Sequence, residues 1–381
     1  MRKFAAIVLC LSFLLSLNSV QVQAYPPPVP ELKRLEKFLI NQINIDLGLV
    51  RESPDSSIPS TYWLMSDNLL AHLALRPYHR EESDLIKKSL EKYGYLRDGL
   101  HEVLLGEKIP LPLLTPRIVT VTNGSAYSIK TEVRDGKLMD DWIDYADLLL
   151  YVAVSEENGG RREMAKHYFF RARDLWNGIG LFDKPTRQDG FYSTYKLALL
   201  LYVSRLLQEP LPYTRTLEEI LWRFQREDGG VRSHYLGNFT SNREANTETA
   251  SIILIAYNYG FDKAHEMLFT SPYPEVFSDK EVERRKQWFT NKENRDRFLN
   301  AKKFYDDAVK FFEARSFEQA IVAGKDATSL YWEAVRAEER YQEGTREAIR
   351  GSLFLASILI VFLLVYWRRH WILRLIRRSA H

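Results

Sequence analysis

The sequence predicts a mainly α-helical fold of stacked helical hairpins, and three observations predict it. Four apolar runs, Leu69 to Leu75, Leu148 to Val154, Leu197 to Val203 and Ile252 to Tyr257, each begin just after polar residues. A segment with a one-sided apolar pattern follows each run. The last three hairpins so formed recur at about 50 residues, within the range of helical-pair repeats. Helices apolar all round belong inside and amphipathic ones cover them, so the alternation predicts an inner and an outer layer, closed into a ring or open as a solenoid.

Taken in order, Arg2 and Lys3 precede an apolar run from Phe4 to Leu17, and Val22-Gln23-Ala24 places small residues where a signal peptidase cuts. Residues 1–24 are therefore expected to be a signal peptide, followed by a Pro-rich linker at 25–30 and an extracytoplasmic domain over 31–275. Within that domain Asp67-Asn68, Asp144 with Asp147, Ser193-Thr194 and Asn246 stand at the starts of the apolar runs. These are N-cap residue types, whose oxygens satisfy the free N–H groups of a first helical turn. The outer partners read Leu85, Ile86, Leu90 and Tyr93, then Met164, Tyr168, Ala172 and Leu175, then Leu217, Ile220, Leu221 and Phe224. Thr216 and Glu219 have capping-box spacing at the start of the third. The longer gap after the first hairpin holds RIVTVTNGSAYSIKTEV, two β-prone stretches around Asn123-Gly124, which predicts an inserted β-hairpin at 117–133.

From 276 to 350 the composition turns charged and helical, with Ala301 to Phe312 and Phe317 to Trp332 forming a tetratricopeptide-like helical hairpin that leads on as a stalk. Residues 351–367 are expected to be a transmembrane helix: Ser352 to Trp367 carries no charge, and Tyr366 and Trp367 sit at its end. At about 1.5 Å per residue such a run spans about 24–28 Å, close to the thickness of a bilayer core at about 30 Å. Residues 368–381 form a basic tail with Arg368, Arg369, Arg374, Arg377 and Arg378, which the positive-inside bias places in the cytoplasm, with the bulk of the chain outside.

Composition removes several function classes. Cys10 is the only cysteine and lies in the signal segment, so a disulfide framework, a thiolate metal site and a cysteine nucleophile are excluded from the exported part. The net charge of +3 includes the tail arginines, leaving an exported part near neutrality and no nucleic-acid partner. No histidine pair has metal-ligand spacing, and neither a metal nor any other cofactor is expected. Nucleotide-loop, serine-hydrolase and zincin motifs are absent.

Gln225-Arg226-Glu227-Asp228-Gly229-Gly230, followed by Thr249-Ala250 opening an apolar run, resembles the Q-x-x-D-G-G…T-A pattern of α/α-toroid proteins. That superfamily includes terpenoid cyclases and protein prenyltransferases, and related helical barrels carry six-hairpin glycosidases and polysaccharide lyases. Tyr62 to Ala71 is similar in style to the aromatic-then-acid entry to an inner helix in the glycosidase branch. The resemblance covers about residues 31 to 270 and implies an α/α toroid or partial toroid. The sequence departs from the cyclases, since Asp140-Asp141-Trp142-Ile143-Asp144 lacks their D-x-D-D spacing, and from the prenyltransferases, since it has no Asp, Cys and His set for zinc.

If the apolar helices form an inner ring, their N-terminal ends share one rim, where loop side chains and helix dipoles converge. Asp67, Asp144 and Glu248 are the candidate catalytic acids, and Tyr62, Trp63, Asp189, Arg232, His234 and Tyr235 the candidate binding residues. Glycoside hydrolysis needs paired carboxylates, with aromatic platforms for sugar rings. Two functions fit: a membrane-anchored extracytoplasmic binding or scaffold protein whose acids only cap helices, or a surface-tethered glycoside hydrolase or polysaccharide lyase that uses them. The partners expected are the membrane through a single-pass anchor and a glycan, a peptide or another surface protein.

Overall fold

The computed structural model describes residues 28–54, 62–95, 97–124, 127–270 and 273–379, without the side chains of Tyr62 and of 362–379. The expected signal peptide lies outside the described residues, as does most of the linker. The chain divides into two compact units, one running to Phe261 together with Ala314–Ser316, the other comprising Asp262–Glu313 and the residues from Phe317 onward.

The first unit opens with α1 (Val29–Asn41), two short strands β1 (Ile43–Asn44) and β2 (Leu49–Val50), and β3 (Tyr62–Leu64), which leads into α2 (Met65–Leu75) and α3 (Arg80–Lys92). A 3-10 turn at His101–Leu105 and the strands β4 (Leu114–Asn123) and β5 (Ser128–Leu138) follow, then α4 (Ala146–Asn158), α5 (Arg162–Arg173), α6 (Lys184–Asp189) and β6 (Phe191–Ser193). The remainder is α7 (Thr194–Leu207), α8 (Thr214–Arg223), β7 (His234–Leu236) and α9 (Thr247–Tyr257).

The apolar runs lie in α2, α4, α7 and α9, which are buried around most of their circumference, as helices without a polar face must be. α2 packs on α9, α9 on α7 and α7 on α4, while α2 and α4 both meet the 3-10 turn. The first and last of the buried helices are thus neighbours. α3 covers α2, α5 covers α4 and α8 packs on α7. β4 and β5 form an antiparallel hairpin that extends beyond 117–133 on both sides, and β3 joins it parallel to β5 with Trp63 opposite Ile129. β6 pairs antiparallel with β7, setting Ser193 opposite His234.

The helix starts differ from the capping expected of them. Asn246 does cap α9, its side chain accepting from the Thr249 N–H at 3.0 Å. Asp67 caps nothing, because α2 begins two residues before it with Leu64 as N-cap. Asp144 does not cap α4 either: its N-cap is Tyr145, and the Ala146 N–H donates instead to the distant Asp183 at 3.1 Å. The capping box of α8 is not formed, since the helix starts at Thr214 and Glu219 pairs with Arg215 at 2.9 Å.

The motif at 225–230 is a structural corner. Gln225 donates to the Glu31 carbonyl at 2.9 Å and the Gly229 carbonyl at 3.0 Å, and Asp228 accepts from the Gly230 N–H at 3.0 Å. Gly229 has φ +93°, and a Cβ there would stand 2.3 Å from the Arg34 carbonyl oxygen, so only glycine fits.

The second unit contains α11 (Tyr273–Val276), α12 (Asp279–Trp288), α13 (Lys292–Glu313) and α14 (Phe317–Ser379), after a short α10 (Phe261–His265) that begins at the boundary. Phe277, Phe289, Phe298, Ala301, Tyr331 and Ala334 form its core, with the Phe289 and Phe298 rings 5.1 Å apart. The expected helical hairpin is α13 with the first part of α14, and the segment expected to be a separate transmembrane helix at 351–367 continues α14 without a break. Leu353, Phe354, Leu355, Leu359, Ile360 and Val361 on it are all exposed. Side chains from Phe362 onward lie outside the description, and among the described residues no helix is long and apolar enough to cross a membrane.

Glu338 is the buried polar anchor of this unit. It accepts from the Thr290 N–H at 2.7 Å, the Thr290 hydroxyl at 2.5 Å, Asn294 at 3.1 Å and Gln342 at 3.1 Å. Burial raises its pKa, but these bonds outweigh it and hold the carboxyl at about 2. A carboxylate depressed in this way stabilises the fold above its ordinary pKa and loses that contribution as pH falls towards about 2. Glu338→Gln is therefore expected to cost about 2–3 kcal/mol at neutral pH. Chemical unfolding followed by circular dichroism should show the gap between wild type and variant closing between pH 4.5 and 2.

Candidate active site

Each buried helix of the first unit carries a charged residue in its first turn: Asp67 in α2, Asp147 in α4, Lys196 in α7 and Glu248 in α9. A lysine at 3% exposure must be paired, and Lys196 is. Its ammonium donates to Asp183 at 2.6 Å and stands 3.4 Å from Asp147, whose other oxygen accepts from the Tyr195 hydroxyl at 2.7 Å. The two aspartates outweigh the burial that would lower its pKa and keep the lysine charged. Asp183, fully buried, also accepts from the Ala146 N–H at 3.1 Å and the Thr186 hydroxyl at 3.0 Å.

Two further pairs stand nearby. His101 bonds Asp98 through Nδ1, and this partner overcomes burial to lift the imidazole to about 10, so it is a cation at neutral pH. Its ring meets Tyr151 edge-on at 5.4 Å between centroids. On β5, Glu132 is bridged by Arg134 at 3.0 Å.

Asp67 and Glu248 are the carboxyls left over. The influences on them are burial and neighbouring charge, with no hydrogen bond to either among the described residues. Asp67 is 5% exposed, and burial, then Glu248 and Glu52, raise its pKa well above the usual carboxylate range against the pull of His101. Glu248 is half-buried. Burial, with Asp147 and Glu132 adding to it against His101 and Lys196, pushes it up to about 7. The Tyr151 hydroxyl, 1% exposed and without a hydrogen-bond partner, stands in the field of Glu248, Asp147 and Asp98. Ser66, Thr194 and Thr249 bring buried, unpaired hydroxyls from the same first turns. Asp67 and Glu248 are thus two carboxyls with raised pKa values, that of Glu248 near neutrality, an arrangement suited to proton donation and acceptance.

A cavity of about 540 Å³ shares Glu52 with the surroundings of Asp67 and is also lined by Asp189, Phe191, His234, Arg243 and Glu244. Burial, then Arg243 and Lys196, lower the His234 pKa and leave that ring neutral. Arg243 lies over the Phe191 ring at 4.5 Å.

The sequence-predicted site residues divide accordingly. Asp67 and Glu248 come together. Asp144 does not join them, being exposed in the 3-10 turn Trp142–Asp144, where its charge acts on Lys184. Asp189 and His234 line the cavity, and Asp189 also accepts from the Phe191 N–H at 2.9 Å as a turn residue. Arg232 donates to the Arg243 carbonyl at 2.8 Å and faces a different surface cavity of about 840 Å³. Tyr235 is buried, stacked between Phe224 at 4.6 Å and Tyr192 at 5.5 Å, with its hydroxyl donating to the Ile179 carbonyl at 2.8 Å. Trp63 is core, edge-on to Tyr127 at 5.8 Å, and the Tyr62 side chain lies outside the described residues. Among the described residues no group of three or more His, Cys, Asp or Glu side chains is placed to hold a metal ion.

Sequence reasoning missed Asp147, Lys196, Asp183 and His101. A lysine between Tyr195 and the apolar run Leu197 to Val203 was the available signal, because a buried cation requires a buried acid. The chain matches no protein-family model and no curated protein sequence.

The two leftover carboxyls set a pH dependence opposite to that of Glu338. A carboxyl whose folded pKa is raised binds more protons folded than unfolded, so stability falls as pH rises from about 4.5 through about 7 for Glu248. Asp67→Asn and Glu248→Gln are therefore expected to raise the thermal midpoint at pH 8 by a few degrees and to flatten its decline between pH 5 and 8, measured by calorimetry. Asp183→Asn, which strips Lys196 of its closest partner, is expected to cost about 3–5 kcal/mol.

Proposed function

We propose that the first unit is a glycan-cleaving enzyme held at the outer face of a membrane, with Asp67 as proton donor and Glu248 as proton acceptor. The observation that carries this reading is the pair of carboxyls that bond nothing among the described residues, in first turns of adjacent helices, with raised pKa values. A binding module whose acids only cap helices would hold them on its own N–H groups, whereas α2 has no side-chain cap and α9 is capped by Asn246. Burying two acids with no hydrogen-bond partner among the described residues costs stability, and active sites are where proteins retain such a cost. The adjacency of α2 and α9 supports an α/α toroid, since an open stack would keep its first and last hairpins apart.

In this reaction Asp67 gives its proton to the glycosidic oxygen as the bond to the anomeric carbon breaks. Glu248 takes a proton from the attacking water, whose oxygen bonds that carbon. The products are an alcohol and a reducing sugar. The reaction needs Glu248 ionised and Asp67 protonated, so activity rises with pH through about 7 and falls where Asp67 ionises.

The anchor is proposed on the exposed apolar residues Leu353 to Val361 of α14 and the arginines that follow in sequence. Protease added to intact cells should digest both units and spare a small fragment containing residues 351–381, whereas protection of the units would reverse the topology.

The full chain in detergent should release reducing ends from at least one member of a glycan panel. Asp67→Asn and Glu248→Gln should each lower that rate by about 100-fold or more, while Asp144→Asn leaves it within twofold. Unchanged rates in the first two variants would remove the proposed roles.

A further inference from the structure

We infer that Asn238 is a glycosylation site, its side-chain amide accepting a glycan from a lipid-linked donor. This rests on the outside placement of the first unit put forward above, and not on cleavage of glycans by it. Asn238-Phe239-Thr240 has the Asn-x-Ser/Thr form that transferases on the extracytoplasmic side read, with no proline in the middle. A triplet that short arises often by chance, so what counts is where the fold puts its three side chains.

The middle residue sets them apart. Phe239 follows β7 at φ +60°, a left-handed conformation that a bulky side chain rarely holds. Its N–H donates to the Leu236 carbonyl at 2.8 Å and the Leu236 N–H to the Thr240 carbonyl at 2.9 Å, closing a tight turn. The half-buried ring is fastened to the unit, lying near-parallel to Tyr235 at 6.3 Å between centroids and carrying the Arg223 guanidinium at 4.8 Å. With Phe239 held down, Asn238 and Thr240 are both exposed at the turn. The Asn238 amide oxygen accepts from the Thr240 N–H at 3.1 Å and from the Thr240 hydroxyl at 2.7 Å, which fixes carboxamide and hydroxyl side by side. The amide nitrogen donates to nothing among the described residues and is open to a donor. In the transfer this nitrogen bonds the anomeric carbon, the bond from that carbon to the lipid phosphate breaks, and the amide proton passes to a base of the transferase. Asn123-Gly124-Ser125 has the same form in a different setting: Asn123 pairs with Ser128 at the end of the β4–β5 ladder, its amide oxygen accepts from the Ser128 hydroxyl at 2.7 Å, and Ser125 lies outside the described residues.

The test is mass spectrometry of the tryptic peptide 233–243 from the full chain, isolated from membranes of the cells that make it, with fragmentation that leaves side-chain groups in place. The expected spectrum carries a glycan mass on Asn238. Asn238→Gln and Thr240→Val should each abolish it, whereas Thr240→Ser, which restores the hydroxyl, should keep its occupancy within about threefold of wild type. Asn123→Gln should leave it unchanged. Protease added to a second portion of the same intact cells separates the two claims. An unmodified peptide from units that the protease digests overturns the glycosylation and leaves the outside placement standing; an unmodified peptide from protected units overturns both. A mass on the peptide that survives Thr240→Val is a different modification and overturns the inference as well.

Discussion

The first unit is organised around the burial of Lys196. An ammonium cannot be taken from water into a helix core without carboxylates to meet it, and the chain supplies them from two elements, Asp183 ahead of α6 and Asp147 in α4. Asp183 is fully buried and does three things at once: it neutralises Lys196, closes the free N–H group at the start of α4, and caps α6 through Thr186. The N-terminal ends of α4, α6 and α7 are thereby fixed on one side chain. Because α7 also packs on α9, and α9 on α2, the pin at Lys196 sets where the first turns carrying Glu248 and Asp67 stand.

That constraint explains the unusual state of the leftover acids. Helix N-termini favour negative charge, so carboxyls in first turns ordinarily have lowered pKa values. Here the dipoles are outweighed. Burial comes first; Glu248, Glu52 and Glu132 then add repulsion at Asp67, and Asp147 and Glu132 at Glu248, which His101 and, at Glu248, Lys196 offset only in part. The same lysine that organises these helix starts therefore brings in Asp147, whose charge helps to raise the pKa of Glu248.

How much of this was legible in the sequence depended on the range of the interaction. The buried helices were, since an uninterrupted apolar run such as Leu197 to Val203 has only one place to go. The hairpin around Asn123-Gly124 was, because turn chemistry is local. Asp67 and Glu248 were picked out by their position at the starts of such runs, yet Asp144 was picked by the same argument and proves exposed. The difference lies in where each helix begins, and that was decided from a distance: Asp183 starts α4 at Ala146, one residue after Tyr145, and moves the inward-facing acid from Asp144 to Asp147. The Gln225–Gly230 motif was seen as a family resemblance, and its physical work is to seat the corner after α8 on the first turn of α1 through the Glu31 carbonyl. No spacing rule links residues nearly two hundred positions apart.

α14 runs unbroken from Phe317 to Ser379, 63 residues in a single helix. Its early turns place Ala327, Tyr331, Ala334, Val335 and Glu338 in the core of the second unit, and its later turns carry the exposed apolar stretch from Leu353. Each residue of an α-helix advances the next by about 100° and about 1.5 Å, so the two ends share one rotational phase with no joint to absorb a mismatch. A single inserted residue between Gln342 and Gly351 would turn every later side chain by more than a quarter of a revolution while leaving the packed core untouched. The helix is a shaft rather than a tether: twist or tilt applied at one end is delivered at the other.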